Sequence, residues 1–357
     1  SRNYLKRRVK MNEIKIAGKI ICKNSPSFII AEAGVNHNGT VDLAKKLVDA
    51  AKEAGADAVK FQTFKTENLV TKNAKKAEYQ IKNSGEESQY EMIKKLELSD
   101  DEFREIAKYT RNKGLIFLSS PFDKESADLL DEIDVPAFKV ASGEITNFSL
   151  LKHIAKKQKP VILSTGMSTM GEVEEALDLI EKCNDNIILM HCLTNYPAKK
   201  EDANLNVIKT LEYAFKRPVG FSDHTSGIEI SVAAVAIGSC VIEKHFTIDK
   251  NLPGPDHKAS LEPHEFSEMV KAIRNVEKGL GNGIKKPTND EIEIKKLVRK
   301  SIVAKEDLLQ GSILTNEMLD VKRPGTGIEP KHLHEVIGRE LTENIKKDNL
   351  LKWNQLK

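Results

Sequence analysis

The chain has 357 residues, 39% hydrophobic and 31% charged. That composition excludes a largely disordered protein, and the length fits one large domain plus a small one. Lys and Arg total 56 against 53 Asp and Glu, for a net charge of +3, which excludes nucleic-acid or membrane-surface binding by bulk charge. No run approaches the ~20 apolar residues of a membrane-spanning helix.

SRNYLKRRVK at the N-terminus is basic with no apolar stretch behind it, and MNEIKI from Met11 reads as a natural start. Residues 1–10 are therefore expected to be a leader or a foreign remnant. From there, short apolar runs alternate with amphipathic segments. The runs are FIIAEAG (28–34), AVKFQT (58–63), LIFLSS (115–120), AFKVAS (137–142), PVILST (160–165), IILMHC (187–192), PVGFSD (218–223) and CVIEKHF (240–246). Each has strand length and reads as buried on both faces. Stretches such as VDLAKKLVDAAKEAG and DDEFREIAKYTRNKG between them carry helical apolar spacing. Eight strands alternating with helices predict parallel βαβ units closed into a TIM (β/α)8 barrel over residues 11–280. Residues 64–98 are too long for an ordinary βα loop, so a lid or small helices over one barrel end are expected.

Beyond the helix over 262–280 the pattern changes. Residues 281–298 read as a Gly/Pro/polar linker, and 299–357 as a small, mostly β domain with a short helix around 330–337. Cys22, Cys183, Cys192 and Cys240 form no CxxC pair, which argues against a zinc ribbon or redox motif. Cys192 and Cys240 read as buried small hydrophobes. A reducing cytoplasm is the simplest compartment.

Chemistry in such a barrel gathers at the C-terminal ends of the strands, where nearly every strand here turns polar. A single strand-end polar residue reads equally well as a loop residue beside a core, but eight strands ending this way predict one polar cleft. Lys60 and Lys139 have apolar neighbours, and lysine is almost never buried unpaired. With Ser120, Ser142, Ser164 and Ser222 they suit a phosphate-like anion. His224 and His245 lie one βα repeat apart and suit an open divalent site of Mn, Zn or Fe type. His37 and His191 are further candidates, while His153, His264, His332 and His334 read as surface positions. Glu32 suits a metal ligand, a general base or a carboxylate steadying an oxocarbenium-like charge, against the plainer reading of a salt bridge to Lys60. The rigid loop LPGPDHKAS (252–260) carries Asp256 and His257 and suits either polyol hydroxyls or a simple turn.

Nine motifs occur in order: IIAEAGVNHNG, KFQTF, FLSSPFD, FKVASGEI, ILSTGMS, GFSDHTSG, EKHFT, PGPDHKASL and VKRPGTGI. Together they resemble the sialic acid synthases, which are phosphoenolpyruvate-dependent nonulosonate synthases. The resemblance runs over almost the whole chain from Met11. It implies a TIM barrel followed by an antifreeze-like (SAF, β-clip) domain, in a domain-swapped homodimer where the small domain caps the partner's barrel. It also implies His224 and His245 as ligands of a divalent metal, Mn²⁺ before Mg²⁺ or Co²⁺. Lys60, Ser120, Lys139, Ser142, Ser164 and Ser222 match phosphoenolpyruvate contacts, Ser120 standing where relatives often carry Thr. Glu32 matches the acid/base or charge-stabilising residue. Gln62, Tyr196 and Asp256 match sugar contacts, and Arg323 matches a group that reaches the sugar's acyl-amino substituent from the partner chain.

The implied reaction joins phosphoenolpyruvate to an N-acyl-mannosamine-type sugar with release of phosphate. HCLTNYPAKKEDANLN and KFQTFKTENLV look more like the N,N′-diacetyllegionaminate synthases than those making N-acetylneuraminate. A synthase for a 6-phosphorylated N-acylmannosamine is the alternative. A non-catalytic carbohydrate- or ice-binding protein is a reading from another class, and the charged strings VKRPG, KKDN and EPKHLHE weigh against it.

Overall fold

The computed structural model describes residues 13–23, 25–76 and 88–357. The expected leader, 1–10, and residues 77–87 of the expected lid lie outside the described residues. The chain divides into two compact units, 1–281 and 282–357.

The first unit opens with a hairpin of two short strands, β1 (Ile14–Ile16) and β2 (Lys19–Ile21). The eight barrel strands follow: β3 (Phe28–Gly34), β4 (Ala58–Thr63), β5 (Ile116–Pro121), β6 (Phe138–Val140), β7 (Val161–Ser164), β8 (Ile187–Cys192), β9 (Val219–Asp223) and β10 (Val241–His245). They pair in parallel in the order β5-β4-β3-β10-β9-β8-β7-β6, an eight-stranded and nearly closed barrel. Helices α1 (Val41–Glu53), α2 (Thr66–Leu69), α3 (Gln89–Leu96), α4 (Asp100–Asn112), α5 (Lys124–Glu132), α6 (Phe148–Ala155), α7 (Met170–Glu181), α8 (Asn206–Phe215), α9 (Glu229–Ala236) and α10 (Pro263–Leu280) lie between or after the strands. The eight apolar runs form strands because helices cover their outer face while their inner face fills the barrel. Within the long 64–98 insertion, α2 and α3 are its described helices, and Ser88 with Glu91 closes a capping box on α3.

Two cores meet at the barrel wall. The outer one joins strand residues such as Ile29, Val59, Phe117 and Phe221 to the apolar stripes of the helices. The inner one contains Ile30, Ala58, Leu118, Ile162, Ile188 and Val241, together with Ile14, Ile16 and Ile21 of the hairpin. The hairpin therefore closes the N-terminal end of the barrel with three buried isoleucines, each contributing roughly 1.5–3 kcal/mol by burial. Packing there leaves no slack: a Cβ at Gly220 would stand 2.3 Å from the Met190 sulfur and 2.7 Å from Val241 Cβ.

In the second unit, the stretch read as a linker contains α11 (Asn289–Val298), capped by Thr288 and Glu291. Beyond it β11 (Ser301–Ala304) pairs antiparallel with β12 (Leu319–Lys322). Isolated bridges such as Leu308 to Ile345 and Leu341 to Leu356 complete the fold. A short helix, α12 (Leu333–Val336), packs Val336 into a core with Ile302, Leu314, Ile328 and Leu351.

Candidate active site

Side chains alternate along a strand, so the inward set continues two residues at a time toward the C-terminal end. Ile30 is followed by Glu32, Ala58 by Lys60 and then Gln62, Leu118 by Ser120, Ile162 by Ser164, Gly220 by Ser222, and Val241 by Glu243 and His245. The parallel register sets Glu32 beside Lys60, Gln62 beside Ser120, and Glu243 beside Ser222. An apolar layer thus gives way, one step up, to a polar one.

That polar layer floors a cavity of about 310 Å³. Glu32, Lys60, Gln62, Ser120, Lys139 and Ser142 line it, as do Ser164, Tyr196, Ser222, His224, His245 and Asp256. Every residue given a role by the resemblance is there except Arg323, which is exposed on the second unit.

The lysines are buried, each 3% exposed, and both are paired. Lys60 Nζ lies 2.7 Å from Glu32 Oε2, 3.7 Å from Glu243 Oε2 and 3.1 Å from Ser120 Oγ. Lys139 Nζ lies 3.2 Å from Glu243 Oε1, which also accepts from Ser222 Oγ at 2.8 Å. Gln62 Nε2 donates to Glu32 Oε1 at 3.1 Å. Burial alone would raise the Glu243 carboxyl, but Lys139 and Lys60 outweigh it and hold it at about 2. For Glu32 burial wins over Lys60 and the Gln62 hydrogen bond, and Glu243 adds repulsion, so its pKa is raised. Burial would lower Lys60, yet Glu243 and Glu32 keep it raised and charged. The floor therefore sets two lysines against two glutamates. Ser142 Oγ accepts from Gly166 N at 3.0 Å, while the buried Ser164 and Thr194 hydroxyls have no hydrogen-bond partner among the described residues.

The rings of His224 and His245 face each other with centroids 5.2 Å apart, and Tyr196 packs against both at 4.2 and 5.3 Å. His224 Nδ1 donates to Leu193 O, which leaves Nε2 with its lone pair. His245 Nδ1 is buried without a hydrogen-bond partner. Burial, then His224 and Lys60, push the His245 pKa well below its usual value, so the ring is neutral. For His224 burial would lower the pKa, but Cys192 and the Leu193 carbonyl outweigh it and raise it. The two rings fit a divalent cation, which would bind them in their neutral form. Among the described residues no cluster of three or more His, Cys, Asp or Glu side chains forms a metal cage, so this would be an open site completed by other donors.

Asp256 completes the ring. Burial, then Glu32, push its carboxyl up to about 6. On the opposite side the wall is apolar, with Phe64, Leu69 and Ile93 from the insertion beside Val35 and Phe122.

Glu243 and Thr194 belong to the polar strand ends expected in the cleft but carried no assigned role, and both line it, as does Cys192. The two-residue step from Glu243 to His245 was the available signal for the first. Cys192, read as a buried small hydrophobe, is buried and also lines the cavity, its sulfur 3.9 Å from His224 Nδ1. Two histidine candidates fall away. His191 Nε2 donates to Ala203 O at 2.8 Å, and His37 is fully buried with Nδ1 accepting from Gly39 N. Neither lines the cavity.

Comparison with known proteins decides the family. The NeuB family model matches residues 47–285, and the SAF domain model matches 299–357. The chain belongs to the NeuB family. It is 50% identical over 330 residues to the N,N′-diacetyllegionaminic acid synthase of Campylobacter jejuni, covering 91% of this chain and 99% of that one. The N,N′-diacetyllegionaminic acid synthase of Legionella pneumophila is 47% identical over 353 residues, 97% and 98% of the two chains. Among solved structures, the N-acetylneuraminic acid synthetase of Leptospira borgpetersenii superposes with a TM-score of 0.73 at 37% identity, over 80% of this chain and 95% of that one. For this NeuB-family chain the barrel and the SAF domain inferred from the nine motifs are borne out.

Proposed function

We propose that this chain is a nonulosonic (sialic-type) acid synthase that condenses phosphoenolpyruvate with an N-acyl-mannosamine-type aldose and releases phosphate. The observation that carries the reading is the buried pair Lys60 and Lys139, tied through Glu243 and opening on the same cavity as His224 and His245. A carboxylate and a phosphate need fixed cations and hydroxyl donors, and this floor supplies both.

The C2=C3 π electrons of phosphoenolpyruvate form a bond from C3 to the aldehyde carbon, and positive charge is left at C2. The carbonyl π bond breaks with its electron pair going to oxygen, which takes up the proton the attacking water later releases. Water adds at C2, and the resulting tetrahedral centre breaks its bond to the phosphate oxygen. Lys60 and Lys139 hold the anionic groups, with Ser120, Ser142, Ser164 and Ser222 as hydroxyl partners. Glu32, anchored by Lys60 and Gln62, steadies the cationic carbon or orients the water. Gln62, Tyr196 and Asp256 orient the sugar. His224 and His245 would hold a divalent cation, Mn²⁺ first and Mg²⁺ or Co²⁺ as substitutes, which when bound supplies a Lewis acid for the aldehyde oxygen. The pairing in the floor supports this, because two lysines already engaged by two glutamates leave a multiply charged anion in need of a further cation.

The sugar we favour is 2,4-diacetamido-2,4,6-trideoxymannose, giving N,N′-diacetyllegionaminate, ahead of N-acetylmannosamine. The likeness to two N,N′-diacetyllegionaminic acid synthases supports it. So does the apolar wall of Phe64, Leu69 and Ile93, which suits methyl groups better than a phosphate. A domain-swapped homodimer, with Arg323 reaching the partner's sugar, and a cytoplasmic setting belong to the same proposal. The four free cysteines fit a reducing compartment.

The test is phosphate release from phosphoenolpyruvate, with mass spectrometry of the product. Release should require both the sugar and a divalent metal, and the diacetamido sugar should outrun N-acetylmannosamine and its 6-phosphate. Turnover undiminished after verified metal removal would sink the metal role. Sedimentation as a strict monomer would sink the dimer, and an unchanged sugar KM in Arg323→Ala would remove its assigned purpose.

A further inference from the structure

Asp256 reaches the cavity from an irregular loop, and the loop is held by residues that touch neither the cavity floor nor its metal-type pair. The side chain of Asn38, in the turn after β3, spans two points of it. Its Nδ2 donates to Pro253 O at 2.9 Å, and its Oδ1 accepts from His257 Nε2 at 3.1 Å. His257 is fully buried, and its Nδ1 accepts from the Thr247 hydroxyl at 2.7 Å. Burial lowers this imidazole to about 4, so the ring is neutral, and with Nε2 donating to Asn38 Oδ1 its Nδ1 is left to accept. Gly254 has φ +150°, and a Cβ there would stand 2.7 Å from His257 Cδ2 and 2.9 Å from Asn38 Oδ1. Glycine is thus required for the loop backbone to lie on the imidazole. A second relay runs from the same turn: Asn36 Nδ2 donates to Ser260 Oγ at 2.9 Å, which donates to the main-chain carbonyl of Asp256 at 2.7 Å.

We infer that Asn38 and His257 are positioning residues for the sugar: they clamp the 252–260 loop so that the Asp256 carboxyl points into the cleft. The inference rests on the synthase reading, in which Asp256 contacts the sugar. It differs from a general stabilising role because the clamp acts on one substrate. Phosphoenolpyruvate meets the lysine floor, which shares no hydrogen bond with this network among those given above.

The experiment compares Asn38→Ala, His257→Ala, His257→Gln, Asp256→Ala and the double variant His257→Ala/Asp256→Ala with the wild-type chain. Asn38→Ala and His257→Ala should each raise the sugar KM about tenfold or more and leave the phosphoenolpyruvate KM within twofold. His257→Gln should recover most of the loss, since its amide can donate where Nε2 did. The double variant should be no worse than Asp256→Ala alone, because the imidazole acts through that carboxyl. Equal rises in both KM values, or multiplying losses in the double variant, would overturn the inference. Hydrogen exchange reads the same clamp without turnover: Asn38→Ala should speed exchange over 252–260 and leave β4 and β10 protected. Unchanged exchange in that loop would overturn the clamp even if wild-type turnover failed. Wild-type failure with faster loop exchange would instead sink only the synthase reading.

Discussion

Inside one barrel, two adjacent layers are built by opposite rules. The lower layer is hydrocarbon: Ile30, Leu118, Ile162 and Ile188 pack against Ile14, Ile16 and Ile21 of the hairpin that closes the end. Two residues further along the strands, Glu32, Lys60, Lys139 and Glu243 are buried almost as deeply but are ionisable and paired with one another. The lower layer stabilises the fold, since burying apolar surface is favourable in itself. The upper layer does not, because two desolvated ion pairs barely repay their loss of water. What the upper layer provides is a set of fixed charges already in place before an anion arrives, which is the arrangement that stabilises a transition state without reorganisation.

Four measurements would break or sharpen that contrast. Lys139→Met should lower kcat/KM for phosphoenolpyruvate by about 10²–10³-fold, the size of a lost fixed charge or donor; an effect below threefold in the phosphate-release assay would move the anion site elsewhere. Ile16→Ala, one layer down, should cost about 2–5 kcal/mol in denaturant unfolding and leave both KM values alone. A change in either KM would mean the layers are coupled.

Asp256→Asn tests the rim by pH. The native carboxyl titrates at about 6 against 3.8 in an ordinary aspartate, so between those values the native state holds a proton that the unfolded chain has released. Stability of the wild type therefore falls relative to Asp256→Asn as pH rises from 4 to 6, by about 2–3 kcal/mol, then levels off. Parallel thermal-unfolding curves for the two proteins across that window would contradict the buried carboxyl. Glu243→Gln should have the smallest effect. It removes one negative charge facing both lysines, so the phosphoenolpyruvate Kd should tighten by roughly tenfold, the low end of coupling between close charges, while the melting temperature drops. Weaker binding by calorimetry would show that Glu243 helps hold the anion.

Much of this was legible in the residues. The barrel strands were readable because burial on both faces forces continuous apolar runs, and β3, β4 and β8 have the bounds those runs suggest. The β1 and β2 hairpin was not, since IKI and KII are three-residue strands, too short to carry a repeating apolar pattern. Helix α11 was hidden in a stretch read as a linker because none of its residues is buried, so no apolar stripe marks it, although its Thr288 and Glu291 cap was there to see. Cys192 is buried as read, but its place on the cavity was not legible, because an inward position low in a barrel is core while the same parity at the strand end is cavity.

From the order of its residues alone, this chain determined an alternation of strand and helix and a polar residue at the tip of each strand, since both depend on periods of two and 3.6 that act locally. Which tips become partners was decided by tertiary structure. Glu243 meets Lys60 and Lys139 only because the sheet curls round and the strands lock in one register. Side chains from β4, β6 and β10 then share a space from which water is excluded, and a charge without a partner there is too costly to keep.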